Sequence, residues 1–151
     1  MIEYRLAVAA DTEELARIRL DFLIASDGVG DREKASLHES ILEYFGSALG
    51  SKFVAWIAIE EGEIVGTSGL SFCVHPPNKR APTGKIAYIS NMFTYPEHRG
   101  RGIATKLFAL IVAEAKSRGY TKITLNATDM GHPIYEKYGF ADTRGDMVFY
   151  V

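Results

Sequence analysis

The chain holds one cysteine, Cys73. No disulfide can close within it, which fits a reducing cytoplasm. Neither sign of charge is in excess: 17 Lys and Arg against 19 Asp and Glu leave a net charge of -2. That balance offers no electrostatic basis for holding nucleic acid or an anionic membrane. No apolar run is long enough to span a bilayer, and Met1-Ile2-Glu3-Tyr4-Arg5 does not open a signal peptide. Internal repeats, low-complexity tracts and linkers are lacking. His38, His75, His98 and His132 have no metal-ligand spacing with cysteine or paired carboxylates, so no metal is expected. What is there is 151 residues, 47% apolar and 24% charged. This is the make-up of one globular domain, residues 1–151, with chain enough for a full core.

Periodicity and punctuation give the order of elements. Ile2 to Ala9 reads as a short strand. Asp11 with Glu14 forms a capping-box pattern, and Leu15, Ile18, Phe22 and Leu23 follow at helical spacing. A second helix is expected from about Lys34 to Leu49, ended by Gly50. Phe53 to Glu60 and Glu63 to Val74 read as strands joined by a tight hairpin at Glu61-Gly62. A proline loop precedes a strand from Lys85 to Thr94, a helix from Ile103 to Arg118, a strand from Thr121 to Ala127 and a short helix from Pro133 to Tyr138. The end reads as strand again. The resulting order, β-α-α-β-β-β-α-β-α-β, implies an α/β fold of mixed type, a mixed sheet flanked by helices.

The most informative stretch lies between the strand at Thr94 and the helix at Ile103. Arg99-Gly100-Arg101-Gly102-Ile103-Ala104-Thr105 is a glycine-punctuated turn into a helix. The first amides of a helix lack intrahelical partners and point outward together at the positive end of its dipole. Such a turn suits a phosphate or pyrophosphate, and Arg99 and Arg101 add charge. A P-loop is excluded because no G-x-x-x-x-G-K-[ST] run exists. A dinucleotide fingerprint fails because Thr105 stands where its third Gly or Ala should be.

Read as Arg-x-x-Gly-x-Ala from Arg99 to Ala104, the turn resembles the acetyl-CoA loop of the GNAT superfamily of N-acetyltransferases. Pro133-Ile134-Tyr135-Glu136-Lys137-Tyr138-Gly139-Phe140 is similar to the Leu-Tyr-x-x-x-Gly-Phe ending of that superfamily, in the right order along the chain. The element order matches as well, so the resemblance covers the whole chain. It implies an acetyl-CoA-dependent acyltransferase acting on an amine. Met92, Phe93 and Thr94 would pair by their backbone with the pantetheine arm, and the amides of Gly100, Arg101, Gly102, Ile103, Ala104 and Thr105 would hold the pyrophosphate. Tyr135 falls where the family places the acid that protonates the departing thiolate. Many members carry an Asn seven residues before that tyrosine; Thr128 stands there, and Asn126 is the nearby substitute.

The chemistry sets its own requirements: a neutral amine, a donor to polarise the thioester carbonyl, alignment, and an acid for the thiolate. A backbone amide near Met92 or Phe93 is the natural donor. Candidates for relaying a proton from the amine through water are Tyr88 and Ser90, placed on the face of Met92 by period two, and Asp129. Glu97 reads as structural, Trp56 as core and Cys73 as a small buried hydrophobe. Lys79 and Arg80 read as solvated. The resemblance implies that the first two helices and their loop, Phe22 to Phe45, help to shape one wall of the acceptor site, where Asp27 and Asp31 would attract a cationic amine or stand solvated. Small amines, polyamines, aminoglycoside-like compounds and protein N-termini all fit. A non-catalytic acetyl-CoA sensor and a phosphate-ligand binder of another fold are the other classes of reading. Met147-Val148-Phe149-Tyr150-Val151 is apolar on both faces, to be covered within the chain or by a homodimer partner.

Overall fold

Burial on both faces of β2 (Phe53–Glu60) explains the layering of the molecule. Phe53, Ala55 and Ile57 pack on one side of the strand, with Leu15, Ile18, Ile41 and Phe45 from the first two helices. Val54 points the other way, into a cluster with Leu70, Phe108, Ile111 and Val112. This is the period-two signature of a sheet covered on both faces. The computed structural model describes residues 1–151. It holds β1 (Glu3–Leu6), α1 (Thr12–Asp27), α2 (Asp31–Ala48), β2, β3 (Glu63–Val74), β4 (Lys85–Thr94), α3 (Ile103–Ser117), β5 (Lys122–Leu125) and α4 (His132–Tyr138). The five strands lie in sequence order. The first four are antiparallel, and β5 joins β4 in parallel after the α3 crossover.

The hairpin closes on two residues in the left-handed region, Glu61 at φ 53° and Gly62 at φ 87°, the conformation that matches strand twist in a two-residue loop. Phe108, fully buried on α3, is ringed by Tyr135, Tyr138 and Phe140 at centroid distances of 4.7, 5.2 and 5.2 Å. Its burial locks α4 to α3 and is worth roughly 1.5–3 kcal/mol.

Three expectations are corrected. Asp11 does not cap α1 with its side chain. It accepts instead from the Val8 amide at 2.7 Å and from both terminal nitrogens of Arg5 at 2.7 and 2.9 Å, because a bidentate guanidinium outcompetes a helix amide. Helix α2 starts at Asp31, three residues before the expected Lys34, with Glu33 reaching back to the Gly30 amide. Finally, no strand follows α4. Met147, Val148, Phe149, Tyr150 and Val151 are all exposed, and the outer edge of β5 carries no neighbour. No helix is long and apolar enough to cross a membrane.

Candidate active site

A break in one strand pairing opens the site. Strands β4 and β5 pair from Ile86 and Lys122 to Ile89 and Leu125, and there β5 ends. Strand β4 runs on to Thr94, so its outer edge beyond Ile89 is left without a strand partner. A cleft of about 620 Å³ occupies this gap.

A β-bulge shapes the cleft wall. Ser90 pairs with Gly69 and Phe93 with Thr67, so Asn91 and Met92 together oppose Ser68. Asn91 takes a left-handed φ of 58°, and its carbonyl accepts from the buried Thr67 hydroxyl at 2.8 Å. The extra residue reverses the facing of the strand. Met92 packs with the α3 cluster and Phe93 with the α1–α2 cluster. The expected common face of Tyr88, Ser90 and Met92 is therefore lost. Tyr88 and Ser90 line a second cavity, whereas Met92 lines the cleft.

The glycine turn closes the opposite wall. Gly100 and Gly102 have φ of 74° and 79°, which costs an L side chain about 1–2 kcal/mol. Gly102 is the N-cap of α3 and has no side chain to satisfy the first turn. The first α-helical bond runs from the Lys106 amide to the Gly102 carbonyl at 3.0 Å, leaving the preceding amides as donors. Gly100, Gly102, Ile103, Ala104 and Thr105 line the cleft, as do Met92, Phe93, Thr94 and Arg99. The Nε of Arg99 donates to the Thr94 carbonyl at 2.9 Å, and its guanidinium stands 5.9 Å over the Phe93 ring.

Arg101 and Asn126 are not among the lining residues. Arg101 turns to β2 and donates to both oxygens of Glu60 at 2.7 and 2.6 Å. His98 joins Glu60 at 3.1 Å, and the guanidinium beside Glu60 lowers that carboxyl to about 2. Arg101 thus clamps the turn to the sheet. Asn126 lies exposed just past the end of β5, while Thr128 and Asp129 line the cleft. The Thr128 hydroxyl accepts from the Gly131 amide at 3.2 Å.

Tyr135 reaches the cleft from α4 with its ring packed on Phe108. Its hydroxyl has no hydrogen-bond partner within the chain, and burial raises its pKa above the ordinary 10. It stays a phenol, able to donate a proton. Phe22, Ala25 and Ser26 of α1 roof the cleft, a contribution without a motif to announce it. Phe22 rests 5.8 Å from Phe93. Tyr95 ties the same helix down by donating to Asp21 at 2.8 Å, and burial with that carboxylate holds its phenol up at about 12.

The expected acidic attractors are engaged elsewhere. Asp31 pairs with Lys34 at 2.7 Å, and Asp27 accepts from the Ser26 hydroxyl at 2.8 Å. Neither lines the cleft or the second cavity.

Comparison with known proteins identifies the family and the fold. The model of the Acetyltransferase (GNAT) family matches residues 15–140. Human N-acetyltransferase 8B is 32% identical over 108 residues, 70% of this chain and 44% of that protein. The chain spans less than half the length of the curated relatives it matches first. A predicted acetyltransferase from Clostridium acetobutylicum, solved with acetyl-CoA, is 36% identical and superposes with a TM-score of 0.85 over 99% of this chain and 96% of that one. A GCN5-related N-acetyltransferase from Ralstonia eutropha JMP134 reaches a TM-score of 0.90 at 27% identity, over 100% and 99% of the two chains. Since the family model matches residues 15–140, most of its length, the chain belongs to the GNAT acetyltransferase family.

Proposed function

We propose that this chain transfers an acetyl group from acetyl-CoA to a primary amine by direct attack, with both reactants held at once. One observation carries the reading: residues of the open edge of β4, of the first turn of α3 and Tyr135 all line the same cleft. The fit to acetyl-CoA is good. A helix start without a side-chain cap offers converging amides for a diphosphate. The unpaired strand edge from Ser90 to Thr94 can take an amide-bearing arm as an added strand.

When bound, the thioester supplies an activated acyl carbon. Met92 and Phe93 line the cleft on the open edge of β4, and a backbone amide there would donate to the oxygen on which charge develops. As the amine nitrogen bonds the acyl carbon, the carbon–sulfur bond breaks. Tyr135 gives its proton to the leaving sulfur, and the amine loses one to water, with Asp129 the lining carboxylate available to relay it. No metal enters this scheme. Cys73, which donates to the Ile86 carbonyl at 3.3 Å, suits a reducing compartment such as the cytoplasm.

The test is acetyl-CoA consumption across a broad amine panel, read as released CoA thiol. Thiol release with a matching acetylated amine is the expected result. Tight acetyl-CoA binding with no release on any amine would instead identify a non-catalytic binder.

A further inference from the structure

A second cavity of about 320 Å³ lies between α1, α2 and the sheet. It shares two walls with the cleft. Helix α1 gives Phe22 to the cleft and Arg19, one turn earlier, to the second cavity. Strand β4 gives Met92 and Phe93 to the cleft, and Tyr88, Ser90 and Asn91 to the cavity. The bulge therefore divides the two spaces at the point where acyl transfer would occur.

Two polar groups in this cavity lack partners. The Arg19 guanidinium makes no hydrogen bond or ion pair within the chain; it stands 5.6 Å over the Phe22 ring. Burial pulls its pKa below the ordinary value, and Asp27 acts on it only through space. Asn91 is 2% exposed, and neither its carboxamide oxygen nor its nitrogen has a partner. An unpaired buried amide is costly, and the half-buried Arg19 guanidinium adds a charge that no group of the chain answers. A left-handed backbone explains an asparagine at position 91, but not a carboxamide with both ends idle. No carboxylate lines the cavity. Its remaining walls include Ile41, Tyr44, Phe45 and Phe53, and its volume suits a compact ligand.

Building on the transferase reading, we propose that this cavity holds the acceptor, and that the acceptor is an amine carrying an oxyanion, a carboxylate or a phosphate-like group, bound by Arg19. A guanidinium fork is matched to such groups. The Asn91 carboxamide bonds the same ligand, and the amine end reaches the bulge. The positive charge inverts the expectation of an acidic wall: selection acts on the acid, not on the ammonium.

The test compares a ladder of ω-amino acids from glycine to aminohexanoate, together with phenylalanine and leucine, each against its neutral amide. An aminoalkylphosphonate series separates phosphate-like from carboxylate selection. Rates are read as CoA thiol, and binding by calorimetry on the CoA-loaded protein. At least one acid or phosphonate should exceed its neutral counterpart in kcat/KM by roughly ten- to a hundredfold. Arg19→Met, which keeps the apolar stem, should erase that preference through KM and leave neutral amines unaffected. Asn91→Gly keeps the left-handed backbone and removes the carboxamide, and should raise KM for the acid more than for its neutral amide. If wild-type enzyme uses acids and amides equally, or Arg19→Met slows both alike, the inference falls and the transferase reading stands. If no amine is acetylated but an acid binds in an Arg19-dependent way, the cavity assignment stands and the transferase reading falls.

Discussion

The hydroxyl of Tyr135 lies 2.7 Å from where a Cβ on residue 131 would sit. Gly131 has an ordinary helical backbone, φ -81° and ψ -28°, so glycine is needed here for space and not for conformation. The tyrosine and the glycine are one device: the missing side chain is the slot that holds the Tyr135 phenol. Gly131→Ala is expected to fold but to displace the hydroxyl, lowering kcat by up to about 10²-fold, with acetyl-CoA affinity nearly kept. Single-turnover kinetics on any accepted amine measures this.

Tyr135→Phe removes only the hydroxyl. We expect kcat to fall on the order of 10²-fold or more, with acetyl-CoA affinity little changed. An unaltered kcat, on an amine where chemistry limits the rate, would falsify the assignment. The pH profile gives a second reading. Because burial raises the Tyr135 pKa, the donor stays protonated across the neutral and mildly alkaline range. The rate should climb as the amine loses its proton, with no falling limb from Tyr135 below about pH 10.

At Gly102, space is not the constraint, since a Cβ there meets nothing within 4 Å of the chain. The left-handed φ of 79° is. Gly102→Val should strain the N-cap of α3 by at least about 1–2 kcal/mol and put a branched side chain where a diphosphate would approach. The rise in Tm on adding acetyl-CoA, a mass-action effect, should disappear. If it persists unchanged, the phosphates bind elsewhere.

The Glu60–Arg101 clamp predicts an acid sensitivity. With Arg101 and His98 holding it, Glu60 titrates at about 2 in the folded chain, against about 4.3 when unfolded. A lowered folded pKa gives stability that is fully present above the unfolded value. It is lost as pH falls from about 4.3 through 2. Glu60→Gln should flatten this part of the stability curve and loosen acetyl-CoA binding at neutral pH, because the glycine turn is no longer tied to β2. Denaturant unfolding at stepped pH checks both the window and the sign.

The exposed segment from Met147 to Val151 predicts assembly. Five large apolar residues lie open to solvent, and the last strand of the sheet, β5, has a free edge. Unpaired edges and apolar segments of this length recruit a strand from another chain. Sedimentation at micromolar concentration should show a dimer, which charged substitutions at Val148 and Phe149 should dissociate. A single species of monomer mass for the unaltered chain rules out a stable dimer.

Local features were legible because their causes are local. The strands β2 and β3, the Glu61-Gly62 hairpin and the glycine turn into α3 each depend on a few neighbouring residues, and the sequence by itself determined them. So, through its two motifs, did it point to the cleft and to Tyr135. Destinations set by distant partners were not legible. Arg101 looks like a phosphate ligand until Glu60, 41 residues away, claims it. Period two carries Met92 onto the face of Tyr88 until the pairing with β3 forces a bulge at Asn91. The tail reads as a strand because its residues favour one, yet a strand needs a neighbour, and the tail has none in this chain. The two idle polar groups at Arg19 and Asn91 were invisible for the same reason. Only packing decides which polar group is left without a partner, because that depends on every element around it.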